Sequence, residues 1–180
     1  MRHERVCLEL VGTVRGRLGE PSDDLADPVS LAGWLARRGL RPTEEPDAAH
    51  VTGFRALREA SYRLLVAVTG GGAPRPDDVA LVNRRAAHPA PAVSLVDTPG
   101  GGLRREVAVP TPEQALAVVA RDLVDLVGGP DLVRLHQCEA DVCGTFFVDT
   151  SRAGSRRWCS SATCGNRARV AAHRGRAAQP

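Results

Sequence analysis

Apolar residues recur along this chain at helical spacing, and the runs break at Pro and Gly. Val51, Phe54, Leu57, Leu64, Leu65 and Val68 fit a 3.6-residue repeat and predict a long helix from about Ala48 to Val68. Leu116, Val119, Ala120, Leu123 and Val127 mark a second helix. Thr111-Pro112-Glu113-Gln114 opens it with a capping box and Pro at the first helical position. A shorter helix is expected from Asp27-Pro28 to about Arg38, with Val29, Leu31, Trp34 and Leu35 inward and Gly39 as its stop. Asp77 is expected to cap another through about Ala87, with Val79, Leu81 and Val82 inward and Pro89 and Pro91 closing it.

Other stretches read differently. Val6, Leu8 and Leu10 alternate with Cys7, Glu9 and Val11, which suits either a strand or a first helix. Ala92–Asp97 and Leu103–Val109 flank TPGGG as an antiparallel hairpin. Gly128-Gly129-Pro130 separates a region 1–129 from a region 130–180. In the second region 131–137 and 144–149 read as strands, 150–155 as a turn, 156–159 as a return, and a basic helix starts near Thr163. Gly70-Gly71-Gly72 follows a helix and lacks the Lys-Ser/Thr of a P-loop, so it is not read as a phosphate cradle.

Composition narrows the picture. With 43% hydrophobic but only 3% aromatic residues, a core must be built of Leu, Val and Ala. All 24 basic residues are Arg. Residues 1–149 hold 17 Arg against 21 acids, a net of −4, whereas residues 150–180 hold seven Arg and no acid. A basic end after an acidic body suits a polyanion partner, or simply keeps a small module soluble. Residues 1–20 mix Arg and Glu without an apolar centre, and no stretch is long enough to span a bilayer. A cytoplasmic protein with no membrane partner is expected, and closely spaced cysteines there are metal ligands more often than disulfides.

Four of the five cysteines make two pairs with the same gap: Cys138-x4-Cys143, fifteen residues, Cys159-x4-Cys164. Two pairs brought side by side supply the four corners of a tetrahedral Zn2+ site. The spacer has the length of a hairpin, which would bring them together. Gly144 and Gly165, each directly after a cysteine, would let the backbone turn closely, and Cys164 falls at a predicted helix N-terminus, which favours thiolate. Four thiolates leave no vacancy for water, so the zinc would be structural. An iron–sulfur cluster and a thiol-based oxidant sensor stay open as alternatives. His136 and His173 are weaker substitute ligands, and Cys7 reads as a small core residue.

The run FVDTSRAGSRRWCSSATCGNRARV resembles the CGNR zinc finger, named for the residues that here are Cys164-Gly165-Asn166-Arg167. The front of the chain is similar to the ABATE domain that usually precedes that finger: LELVGTV, DLADPVSLAGWLARRGL, FRALREASYRLLVA and ALVNRRAAHPAP. That family usually has Asn where this chain has Gly12, so a ligand held by the Asn would lose that contact here. The resemblance implies a stress-induced transcription regulator that contacts DNA. The expected fold is α+β: a mainly helical ABATE-like domain, 1–129, with a β-hairpin, and a treble-clef-like zinc module, 130–180.

Arg152, Arg156, Arg157, Arg167, Arg169, Arg174 and Arg176 lie in or beside the finger. Zinc on four thiolates carries a charge of −2, so the arginines nearest the cysteines, Arg156, Arg157 and Arg167, are expected to serve the metal site. Arg169, Arg174 and Arg176 are the better DNA contacts, with Arg167 and Arg152 as further candidates. Trp158 is expected to pack the finger, with stacking on an unpaired base as the alternative. The N-terminal domain would dimerise or bind a small-molecule effector. An RNA-binding or protein-interaction adaptor is the competing reading. No nucleophile with an oriented base is recognisable, so catalysis is not expected.

Overall fold

The computed structural model describes the backbone of residues 5–177 and the side chains of residues 5–171. Residues 5–11 resolve the first ambiguity as a helix: α1, Val6–Val11, buries Cys7, Leu8, Leu10 and Val11. Burial holds the Cys7 thiol in its neutral form, as befits a core residue. Asp122 fixes the start of α1 by accepting from the Cys7 backbone N–H at 2.9 Å and from Arg5 at 3.0 Å. Two short strands follow, β1, Val14–Arg15, and β2, Ser22–Asp23, paired antiparallel around a loop that reaches the C-terminal region.

Helix α2, Pro28–Arg37, starts at a capping box of Asp27 with Ser30. Leu31, Trp34 and Leu35 are buried as expected, but Val29 is 81% exposed. Two residues span about 200° of helix, so Val29 in the first turn points away from the stripe that Leu31 begins. Helix α3, Ala48–Thr69, buries Val51, Phe54, Leu57, Leu64 and Leu65 and is capped by Asp47 with His50. Helix α4, Pro76–Ala86, begins one residue before Asp77, so Asp77 does not cap it. Pro76 takes the first helical position, where its missing N–H costs nothing. Asp78 is instead buried against Arg63, at 2.6 and 2.9 Å. Val82 faces the core, while Val79 stays 37% exposed.

Strands β3, Val93–Thr98, and β4, Gly102–Val107, form the expected hairpin, and α5, Pro112–Val127, begins at the expected Thr111–Gln114 capping box. Helices α1, α3, α4 and α5 enclose one core around Leu10, Phe54, Leu57, Leu65, Val119 and Leu123. A 3-10 turn, Pro130–Arg134, occupies most of the expected strand 131–137 and leaves only β5, Leu135–Gln137. Strand β6, Phe146–Val148, pairs with it antiparallel. A π-type turn, Ser161–Gly165, leads into α6, Asn166–Ala177. The protein is thus α+β, with helices and small hairpin sheets. No helix among the described residues is long and apolar enough to cross a membrane.

One charged residue sits inside the stripe of α3. Arg58 has a side chain only 5% exposed and clamps both oxygens of Asp23 at 2.6 and 2.9 Å. It also donates to Glu59 and to the Thr13 hydroxyl. Its hydrogen bond holds the Asp23 carboxyl below its usual range, so the ion pair persists at neutral pH. Asp23→Ala leaves the buried Arg58 guanidinium with Glu59 and Thr13 alone, so it is expected to cost about 2 kcal/mol in urea unfolding.

Candidate metal centre

The site is built on the hairpin β5–β6. Its ladder runs one pair beyond the strands, Cys138 N–H donating to Thr145 O at 2.8 Å, so Cys138 leaves the sheet where the chain turns. Cys143 returns through a tight turn, its N–H donating to Ala140 O at 2.9 Å. Gly144 has φ of +71°, and a Cβ there would lie 3.1 Å from Arg17 Cβ and 3.2 Å from Leu18 Cγ. Only glycine satisfies both the left-handed backbone and that close approach. The alternation of β6 then divides two aromatics. Phe146 enters the helical core and meets Tyr62 edge-on at 5.8 Å, while Phe147 packs against Cys138 and Cys164.

The second pair arrives by a different route from the one expected. The fifteen-residue spacer is not a hairpin: after β6 it contains no strand, and the hairpin β5–β6 carries the first cysteine pair at its turn. Asp149, 1% exposed, organises the spacer instead. Its carboxylate accepts from the N–H groups of Ser151 at 2.8 Å and Arg156 at 2.9 Å, closing the loop between them. Those bonds, the one from Arg156 first, hold its carboxyl down at about 2. Glu139 N–H then donates to Arg157 O at 3.0 Å, laying the incoming chain beside the first pair. Ser160 caps the next turn by accepting from Thr163 N–H at 3.2 Å. Cys164 lies inside that turn, directly before α6.

All four sulfurs fall within 4.8 Å of one another, and Cys159 lies 3.6 Å from both Cys143 and Cys164. A disulfide requires about 2.05 Å. A tetrahedron with zinc–sulfur arms of about 2.3 Å has edges of about 3.8 Å, so these spacings fit zinc. The electrostatics agree. Burial and the neighbouring Cys143 push the Cys159 thiol far up, and burial raises Cys164 too, so the thiolates need a cation among them. For Cys143 burial acts upward, but the hydrogen bonds of the Thr145 hydroxyl at 3.3 Å, the Thr145 backbone, Cys159 and Cys164 together outweigh it and favour thiolate. Four thiolate ligands would hold Zn2+ as a structural ion.

His136 is exposed, its ring 6.0 Å from that of Phe147, and it is not among the clustered ligands; the side chain of His173 lies outside the described residues. Gly165 serves a purpose other than turning: a Cβ there would meet the Trp158 ring at 3.3 Å. Trp158 packs the finger, with Arg157 over its ring at 5.1 Å.

The arginines expected to touch sulfur do otherwise. Arg156 stacks on Phe147 at 4.3 Å and donates to the carbonyls of Trp158 and Cys159. Arg157 pairs with Glu139 at 2.6 Å. Arg167 is exposed. Among the described residues no Arg donates to a cysteine sulfur. Thr145 and Asp149 were not foreseen as supports, although Asp149-Thr150-Ser151 carries the signature of an Asx turn.

Two measurements check the site. One zinc per chain is expected by elemental analysis, lost on Cys164→Ser, with chelation abolishing the near-ultraviolet signal of Trp158. Asp149→Asn is expected to weaken zinc affinity about tenfold in chelator competition, because the loop positioning Cys159 loses its anchor. In metal-free protein the anchoring contribution is fully present above the ordinary carboxylate pKa of about 4. It fades as pH falls toward about 2, so the difference in stability between wild type and Asp149→Asn narrows over that window.

Comparison with known families agrees with this architecture. The model for ABATE, described as "Putative stress-induced transcription regulator", matches residues 4–130, and that for the CGNR zinc finger matches residues 134–177. No curated protein matches the chain. The chain therefore belongs to the ABATE family and carries a CGNR zinc finger after its ABATE domain.

Proposed function

We propose that this protein is a cytoplasmic, non-catalytic transcription regulator of the stress response, divided at about residue 129, whose finger contacts DNA. The observation that carries this reading is the sorting of the finger's arginines. Arg156 and Arg157 are engaged within the finger, whereas Arg152, Arg167 and Arg169 are exposed and pair with no acid among the described residues. Arg169 makes only a 3.3 Å bond to Ser161 O. Arg174 and Arg176 follow on α6 and belong to the same proposed contact set, though their side chains lie outside the described residues. Exposed arginines without acidic partners suit phosphate and guanine contacts. The packing of Trp158 weighs against an RNA-binding adaptor that stacks unpaired bases.

Effector sensing has a natural place in this scheme. A cleft of about 330 Å³ separates body from finger, lined by Arg5, Glu9 and Arg38 on one side and Thr145, Phe147 and Arg156 on the other. Its size is that of a small-molecule site. A compound bound there would touch both the helical body and the residue that holds the Cys159 carbonyl, and so would link occupancy to the finger.

A DNA shift assay over a salt series tests the reading. Wild type should bind at low salt, with affinity falling linearly on a log–log plot. Arg167→Ala and Arg169→Ala should each reduce the slope by about one and weaken all sequences alike if they meet phosphate. Absence of binding by zinc-loaded protein at low salt would overturn it.

A further inference from the structure

The hairpin β3–β4 packs chiefly on itself, and its two faces are arranged unusually. The register places Val93 with Val107, Leu95 with Arg105, and Asp97 with Leu103 on one face. Ser94, Val96, Thr98, Arg104 and Glu106 share the other. An amphipathic hairpin that rests on its own body turns the apolar face inward. Here Val93, Leu95, Leu103 and Val107 are 56%, 70%, 67% and 45% exposed. The partly covered residues, Val96, Thr98 and Glu106, all belong to the opposite face. A lone two-stranded hairpin is marginal in water, and a contiguous aliphatic strip of this kind marks a contact surface.

We infer that this face is a dimerisation arm, covered by the same face of a second copy of the chain. The inference deepens the dimer expected of the N-terminal domain and rests on that expectation. Charge selects the occupant. Asp97 and Arg105 lie on the apolar face itself and form no ion pair among the described residues, whereas Arg104 and Glu106 on the other face pair at 3.2 Å. In a two-fold contact, Asp97 meeting the second copy's Arg105 requires the reciprocal pair as well. One symmetry operation thus covers both aliphatic strips and satisfies all four charges. An unrelated protein would have to supply an apolar strip and the same two charges in complementary order.

Size sets the strength. Six-residue strands extend about 20 Å, so one face gives a contact at the small end of specific interfaces. A contact that small makes a weak, reversible dimer, to be sought over concentrations of about 1–100 μM.

Sedimentation velocity of the full zinc-loaded chain across that range tests the arm. Wild type should shift from monomer to dimer, and Leu95→Lys/Leu103→Lys should stay monomeric with an unchanged far-ultraviolet spectrum, since both positions are exposed. Asp97→Arg and Arg105→Asp should each weaken association about tenfold, and the double reversal should restore it. A doubly substituted Leu95→Lys/Leu103→Lys protein that dimerises like wild type overturns the arm and leaves the dimer standing. Wild type that stays monomeric throughout overturns both. Single reversals without effect, or a double reversal that does not recover, overturn the reciprocal charge pairing. DNA binding is measured separately, so failure of the arm is distinguishable from failure of the DNA reading.

Discussion

Four thiolates brought within 4.8 Å of one another repel, and everything from Cys138 to the start of α6 depends on that repulsion being cancelled. Burial and the neighbouring sulfurs drive the Cys159 thiol toward its neutral form without a cation. Among the described residues the aromatic core around the sulfurs consists of Phe147 and Trp158, too little to hold so small a module together by burial. A divalent ion would reverse the sign of the problem, turning the mutual repulsion of the sulfurs into attraction to a shared cation.

The metal knuckle is not isolated from the helical body. Arg17 and Leu18, in the loop between β1 and β2, donate backbone N–H groups to the carbonyls of Cys143 and Val142 at 3.2 and 3.3 Å. The Arg17 guanidinium binds Glu59 of α3 at 2.6 and 3.2 Å and lies over the Tyr62 ring at 4.2 Å. Glu59 also takes Arg58, which holds Asp23. An unbroken chain of polar contacts therefore runs from the knuckle into the buried stripe of α3. Strand β6 adds an apolar link, with one phenylalanine facing the body core and its neighbour facing the sulfurs. Loss of metal would disturb both faces of one strand.

How much of this was legible in sequence follows from the range of the interactions. Helices α3 and α5 read clearly because periodicity and capping are local, and the Thr111–Gln114 box needed nothing beyond its own four residues. The four ligands read clearly because their spacing repeats. Asp77 misled because Pro76 starts the helix one residue earlier, after Arg75 at the N-cap, while the neighbouring Asp78 is drawn to Arg63, fifteen residues away. Arg58 was invisible because its partner Asp23 comes from a short strand far upstream. The spacer misled most: fifteen residues suit a hairpin by length, but the buried Asp149 spends its two acceptor oxygens closing a loop. A single carboxylate thus replaced a ladder of backbone bonds.

The same long-range contacts change what the basic tail means. Seven arginines in one segment look like a binding face only while their partners are unknown. The structure removes Arg156 by tying it to carbonyls and Phe147, and removes Arg157 by pairing it with Glu139. Neither neutralises sulfur directly, so the site's negative charge is left to act through space on whatever approaches the finger. That raises the importance of the arginines that stay exposed. Arg152 stands on the loop closed by the buried Asp149 carboxylate, and Arg167 and Arg169 lie beside the Cys164 turn that a bound metal would hold in place. If the finger meets DNA as proposed, zinc would support that contact by positioning cations it never touches, and its strength would depend on the integrity of Asp149 as much as on charge.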